Sequence, residues 1–216
     1  TADEPVQKIL DRAIIAQKTI TANTTEAINI FTEKVKSNYL REAEIEARKD
    51  SALAGGEFRV FYQPKLNIQQ NRPDSAEALV RWYDADTNTF RNPSEFVPLF
   101  EANGFIGKVD RYVYVEVCKY IAEAVERGLK IVPVSVNVSR VTATQEGFVD
   151  FYVRTKRKYN IADNFLTVEF TESFAFENYE VLKDIIKSLR ANGIRSSIDD
   201  FGSGYSSYNI LKELEM

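Results

Sequence analysis

SSIDDFGSGY, residues 196–205, places two adjacent carboxylates at the end of a short apolar strand and two glycines in the loop that follows. Neighbouring side chains on a strand point to opposite faces, so Asp199 and Asp200 can serve one target only where the strand ends and the backbone turns. Paired acids at such a strand end provide the oxygen ligands that divalent cations prefer. A helix N-cap followed by a solvated turn is the alternative interpretation of the same residues.

The composition excludes several classes of catalyst. The chain has no histidine, which rules out Ser-His-Asp and Cys-His nucleophile systems and His-ligated zinc or iron sites. Its single cysteine, Cys118, cannot form an intrachain disulfide, and its apolar neighbours predict a buried thiol on a helix. Carboxylates, amides, lysine, arginine and hydroxyls are left to carry any chemistry.

Length and charge favour one large domain with an appendage. The 216 residues are 44% hydrophobic, which is enough to bury a substantial core. The net charge of -4 gives no footprint for binding a nucleic acid polymer. No apolar run approaches the length that spans a bilayer, and the first residues lack the apolar core of a signal peptide. We therefore expect a cytoplasmic chain without membrane insertion, and the sequence leaves open whether the parent protein is tethered to a membrane.

The pattern of the chain changes at Gly55-Gly56. Residues 1–54 contain no glycine and predict a mainly helical segment. After the glycines, strand and helix patterns alternate, which predicts βαβ units, a largely parallel sheet and the α/β class. The predicted strands are 58–62, 76–82, 131–137, 166–171 and 195–199, and the predicted helices lie near 94–102, 108–127, 147–159 and 179–191.

Oxygen-bearing side chains gather at the carboxyl ends of three predicted strands. Asn137 closes one, Glu169 lies near the end of the next, and Asp199 and Asp200 close the last. Active sites of barrels and open α/β sheets are built at these ends. Glu77 fits less neatly, because it lies near the start of its apolar run.

Each of these residues alone could be a solvent-facing acid or a turn cap. Several unpartnered acids would be costly to bury, however, so one shared cation site is the more economical explanation. Carboxylates and an amide without Cys or His favour Mg²⁺ or Mn²⁺. Their number allows two adjacent ions, an arrangement suited to in-line attack on a phosphodiester.

The tripeptide Glu-Ala-Leu lies at residues 77–79, and further motifs lie at residues 62–65, 93–98, 135–139, 168–173 and 199–207. In this order, over residues 57–216, the motifs resemble those of the EAL family of bacterial phosphodiesterases, which open cyclic diguanylate. The resemblance implies an incomplete (β/α)8 TIM-like barrel, the EAL fold, preceded by N-terminal helices, with cyclic diguanylate as its partner.

The same resemblance implies roles for individual residues. Four side chains would hold one metal ion, and Asp199 would share a second ion with Asp200; the four are Glu77, Asn137, Glu169 and Asp199. Glu172, grouped with the catalytic carboxylates, would steady the loop after Asp200. Arg81 would bind a substrate phosphate, Gln63 would lie near a guanine edge, and Leu79 would contact substrate.

The resemblance also predicts the organisation of the chain. Residues 55–216 would form the N-terminal part of an EAL domain. Residues 10–18, within the helical segment 1–54, resemble the final helix of a diguanylate cyclase (GGDEF) domain. A closed barrel of this type needs about 250 residues, and the family's later lysine, glutamate and glutamine are absent from this sequence. We therefore expect a fragment that is inactive alone and associates as a homodimer.

Three functions remain open from the sequence. The first is metal-dependent hydrolysis of cyclic diguanylate to linear diguanylate by the parent protein, with Mg²⁺ or Mn²⁺ as cofactor. The second is a receptor that binds the dinucleotide without cutting it. The third is a regulatory scaffold, for which the charged N-terminal helices are the only support.

Overall fold

The computed structural model describes residues 5–18, 28–199 and 201–202. The chain divides into two compact units, Thr1–Gly55 and Gly56–Met216. In the first unit, α1 spans Val6–Lys18 and α2 spans Glu33–Ala54. Thr32 is the N-cap of α2, and its side-chain hydroxyl accepts a hydrogen bond from the Val35 amide. The prediction of a mainly helical segment over residues 1–54 is therefore confirmed for α1 and α2, whereas the described residues 28–32 lie outside any helix.

The described part of the second unit contains one sheet of six strands. The strands are β1 Phe58–Asn67, β2 Arg72–Asp84, β3 Thr89–Arg91, β4 Val134–Asn137, β5 Leu166–Thr171 and β6 Arg195–Asp199. Their order is β1-β2-β4-β5-β6, with β3 paired to β2. Strands β2, β4, β5 and β6 are parallel, whereas β1 and β3 run antiparallel to β2. The predicted parallel sheet is thus present, with an antiparallel hairpin at its start.

Six helices accompany these strands in the described part of the second unit. They are α3 Pro93–Asn103, α4 Ile106–Glu126, α5 Arg140–Ala143, α6 Phe148–Lys158, α7 Glu172–Glu177 and α8 Tyr179–Arg190. The four longer helices lie within two residues of the predicted bounds, and Cys118 is buried on α4 as expected. None of the helices that the structure describes is both long and apolar enough to cross a membrane.

Several predicted boundaries were wrong. Strand β4 begins at Val134 and not at residue 131, because Pro133 has no amide hydrogen to give to a strand ladder. Strands β1 and β2 are longer than predicted, because they pair with each other beyond the core as a hairpin. The short elements β3, α5 and α7 were not predicted.

The two faces of the sheet differ in chemistry. One face carries buried apolar residues, including Trp82, Val136 and Val168, which form the core under the helices. At its edge, Trp82 and Phe58 pack with two aromatic rings of α3, Phe96 and Phe100. Because side chains alternate along a strand, the polar residues of the same strands lie on the opposite face.

A buried ion pair fastens β3 to β2. Asp84 is only 2% exposed, and its Oδ2 accepts hydrogen bonds from Arg91 Nη2 at 2.5 Å and Nε at 3.0 Å. The Arg91 guanidinium also lies 5.1 Å from the ring centroid of Trp82. A charge-assisted contact with two donors of one arginine is geometrically specific. This pair gives a strand of only three residues a defined position.

Candidate metal centre

Strand register brings the predicted ligands to one face of the sheet. Glu77 pairs with Ser135, Asn137 with Glu169, and Thr171 with Asp199. Since residues two apart on a strand share a face, and paired residues of neighbouring strands do too, Glu77, Asn137, Glu169 and Asp199 all point the same way. Glu77 lies within β2 and not at its end, because β2 extends well beyond the three residues that pair with β4.

Three of these carboxylates converge. One oxygen each from Glu77, Glu169 and Asp199 lies within 4.8 Å of the other two. The Asn137 amide donates a hydrogen bond of 2.8 Å to Glu77 Oε1, which ties the fourth predicted ligand to the cluster. Asp200 lies outside the described residues.

Glu169 is the buried member of the cluster, at 7% exposure. Its Oε1 accepts hydrogen bonds from Lys65 Nζ at 2.8 Å and Ser197 Oγ at 3.2 Å. Its Oε2 is buried and accepts no hydrogen bond from the residues that the structure describes. A buried carboxylate oxygen without a partner is costly, and a cation would satisfy it. The donor set of carboxylates and an amide therefore fits Mg²⁺ or Mn²⁺.

Lys65 is a member of the centre to which the sequence analysis gave no role. Its ammonium lies 2.8 Å from Glu169 Oε1, 3.3 Å from Glu77 Oε2 and 3.2 Å from Ser135 Oγ. Burial by itself lowers the pKa of Lys65, but the hydrogen bond to Glu169 and the charges of Glu169 and Glu77 outweigh it, so the pKa is raised. The signal available in the sequence was strand alternation, because Lys65 stands two residues after Gln63 on the same face.

Glu172 contacts the loop that follows β6. It is the first residue of α7, and its Oε2 accepts a hydrogen bond of 2.7 Å from the Gly202 amide. Gly202 has a φ of 98°, a left-handed conformation that glycine adopts without strain. The structure therefore places Glu172 against the signature loop, at its described end.

The three predicted substrate residues occupy two places. Gln63 lies on β1 directly opposite Glu77, on the face of the carboxylates. Arg81 and Leu79 line a cavity of about 290 Å³ whose wall also includes Asn137. Arg81 Nη1 donates a hydrogen bond of 2.8 Å to the carbonyl of Val80. The cavity thus adjoins the carboxylate cluster through Asn137.

Asp110 on α4 forms another part of the cavity wall, and the sequence analysis missed it. Its Oδ2 accepts hydrogen bonds from the Ser139 amide at 3.0 Å, Ser139 Oγ at 2.9 Å and Thr142 Oγ1 at 2.5 Å. Burial raises the pKa of Asp110 to about 6, although these three hydrogen bonds lower it. Asp110 thereby fixes the turn that begins two residues after Asn137. A single acid on an amphipathic helix carries no sequence signal for such a role.

Comparison with protein families identifies the architecture. The model of the EAL domain matches residues 46–216, and the chain belongs to this family. A solved structure, the PaMucR phosphodiesterase in complex with c-di-GMP, superimposes with a TM-score of 0.75 at 30% identity, covering 80% of this chain and 69% of that one. The TIM-like α/β fold is thereby confirmed, although the described strands do not close a barrel. The match begins at residue 46, before the predicted domain start at residue 55.

Curated relatives are longer proteins. The chain is 32% identical over 162 residues to the signaling protein YkoW of Bacillus subtilis, covering 75% of this chain and 20% of YkoW. It is 28% identical over 213 residues to the cyclic di-GMP phosphodiesterase NbdA of Pseudomonas aeruginosa, covering 99% of this chain and 27% of NbdA. The chain therefore spans between about a fifth and just over a quarter of the length of these two relatives.

Proposed function

We propose that a full-length protein carrying this sequence hydrolyses cyclic diguanylate to linear diguanylate with Mg²⁺ or Mn²⁺. The observation that carries the proposal is the convergence of Glu77, Glu169 and Asp199 within 4.8 Å beside an unpartnered buried oxygen of Glu169. Relatives that are named as cyclic di-GMP phosphodiesterases, and the c-di-GMP complex of a similar structure, support the choice of substrate.

The residues of this chain take the following roles in the proposal. Glu77, Asn137, Glu169 and Asp199 hold one cation, and Asp200 joins Asp199 in holding a second. Bound cations would polarise the phosphodiester and lower the pKa of an attacking water.

Substrate contacts come from the adjoining cavity and from β1. Arg81 binds a phosphate through its forked donors, Leu79 packs against the dinucleotide, and Gln63 contacts a guanine edge. Glu172 holds the loop after β6 through the Gly202 amide, which keeps the carboxyl end of that strand in place.

The deciding experiment measures conversion of cyclic to linear diguanylate by the purified full-length protein. We expect turnover with Mg²⁺ or Mn²⁺, none in excess chelator, and recovery when Mn²⁺ is returned. Ca²⁺ should inhibit, because its larger and looser coordination shell misplaces the attacking water. Undiminished turnover in excess chelator would disprove the metal mechanism.

Binding without hydrolysis is the second candidate function. It is favoured by Lys65, whose ammonium already offsets part of the negative charge of Glu77 and Glu169. A receptor would bind cyclic diguanylate with equal affinity in chelator and in Mn²⁺ and release no linear product. Turnover in the preceding experiment decides against it.

We also propose a cytoplasmic location and a homodimer. Strands β1 and β6 each pair on one side only within the described sheet, and open strand edges recruit further strands. Light scattering of this purified chain should therefore give twice its molecular mass or more. A stable monomer at micromolar concentration would contradict the self-association.

We also propose that α1 belongs to a GGDEF-like domain.

A further inference from the structure

Lys65 contacts the carboxylates although it does not lie directly opposite Glu77 in the sheet. It pairs with Ser75 on β2, two residues before Glu77, and its long side chain extends along the sheet to the cluster. Its ammonium contacts one oxygen of Glu169 and one oxygen of Glu77 at the same time.

A cation bound through the unpartnered Glu169 Oε2 would lie on the same carboxylates that Lys65 contacts through Glu169 Oε1 and Glu77 Oε2. A carboxylate oxygen that accepts a charge-assisted hydrogen bond is less available as a metal ligand, and two positive charges at one site repel each other. The ammonium and a metal ion therefore compete for the same pair of carboxylates.

Lys65 is able to leave. Its side chain is 42% exposed, whereas that of Glu169 is only 8% exposed. Lysine has a flexible four-carbon stem with a strongly hydrated charge, so its ammonium can move into water while the carboxylates stay in place. The strand that carries it is also an outer strand of the described sheet.

We propose that Lys65 is an internal competitor of the divalent cation, and that its ammonium moves away from Glu77 and Glu169 when the metal ion binds these carboxylates. Lys65 thereby weakens the affinity for the cation and stabilises the carboxylate cluster when no cation is bound. Lys65 thus sets the concentration of the divalent cation at which the site becomes occupied. This inference rests on the metal centre of the proposed function.

The test compares Mn²⁺ binding to this chain and to its Lys65→Met variant by isothermal titration calorimetry and by the electron paramagnetic resonance signal of free Mn²⁺. We expect the variant to bind Mn²⁺ at least about tenfold more tightly, because the competing charge is gone. In chelator, the variant should unfold at a lower denaturant concentration than the wild type, since its carboxylates repel each other without a counter-charge. Added Mn²⁺ should raise its unfolding midpoint more than that of the wild type.

Two further variants serve as controls. Lys119→Met removes the same charge from an exposed pair with Glu116 on α4 and should leave Mn²⁺ affinity unchanged. Lys65→Arg keeps the charge and should bind Mn²⁺ within about threefold of the wild type. If Lys65→Met fails to fold, Lys65→Gln replaces it, with the same expected gain in affinity.

Three results would contradict the inference about Lys65. Equal Mn²⁺ affinity in wild type and Lys65→Met would overturn the inference and leave the proposed function standing. Equal tightening by Lys119→Met would reduce the effect to net charge and would also overturn it. If neither wild type nor variant binds Mn²⁺, the inference fails, while the hydrolysis assay on the full-length protein tests the proposed function separately.

Discussion

Glu77→Ala is expected to lower the turnover of cyclic diguanylate by a full-length protein more than about 100-fold. Loss of a direct ligand should cost at least as much as loss of the groups that orient one. The substitution removes one of the three converging carboxylates and the acceptor of the Asn137 amide. Asp199→Ala should have a comparable effect, because it removes another member of the same cluster. Initial rates at saturating Mn²⁺, measured as linear product, give the readout.

The matched control for these variants is Asp150→Ala. Asp150 is an exposed acid on α6 whose Oδ2 lies 3.9 Å from Arg154 Nη2. Its removal changes the net charge by the same amount as the removal of Glu77 or Asp199. The control should retain wild-type turnover, and all three variants should keep the circular dichroism of the wild type. Turnover near the wild-type rate in Glu77→Ala or Asp199→Ala would remove that residue from the centre.

Arg91→Met is expected to lower the free energy of unfolding by about 3–5 kcal/mol, because it leaves the Asp84 carboxylate buried without its guanidinium. Asp84 is almost inaccessible to water, and Arg91 supplies two of its hydrogen bonds. The methionine retains part of the packing against Trp82, so the loss reports mainly on charge. Urea unfolding followed by tryptophan fluorescence measures the change, since Trp82 is the single tryptophan of the chain.

The double variant Asp84→Asn with Arg91→Met separates charge from packing. Removing both charges leaves no unpaired buried charge at this position, so this variant should recover at least half of the stability lost in Arg91→Met. Lys119→Met, whose ion pair with Glu116 is exposed, should change the free energy of unfolding by less than about 1 kcal/mol. A loss below that value in Arg91→Met would show that the Asp84–Arg91 pair is not a fastening element.

Much of the architecture of the second unit was predictable because its signals are periodic. Long amphipathic helices such as α4 and α8 have an apolar spacing that hardly any other element shares, and their ends are marked by Gly128 and Gly193. The acids at the ends of β5 and β6 followed from the rule that parallel strands deliver their carboxyl ends to one edge.

The direction of β1 was not predictable from periodicity, because alternation along a strand is the same in both directions. The turn between β1 and β2 supplies the missing information: Asn71 adopts a positive φ of 47°, which asparagine tolerates better than most residues. The place of Glu77 depended on that hairpin, since pairing with β1 lengthens β2 on both sides of it. Asp110 gains its role only from a long-range contact to Ser139 that no local pattern records. Strand alternation places Lys65 on the face of Gln63, but it does not reveal the long-range contact of Lys65 with Glu169.

The antiparallel course of β1 also decides where the polypeptide enters the sheet. Phe58 pairs with Trp82 near the carboxyl end of β2, and Glu57 is bound to β2 through both its backbone carbonyl and its carboxylate. The entry point therefore lies at the end of the sheet where the parallel strands finish. A pull or twist exerted on the chain at residue 57 would act on these contacts with β2 and on β1, the strand that carries Gln63 and Lys65. The chain thus enters the sheet on the same strand as Lys65, the residue proposed to compete with the metal ion.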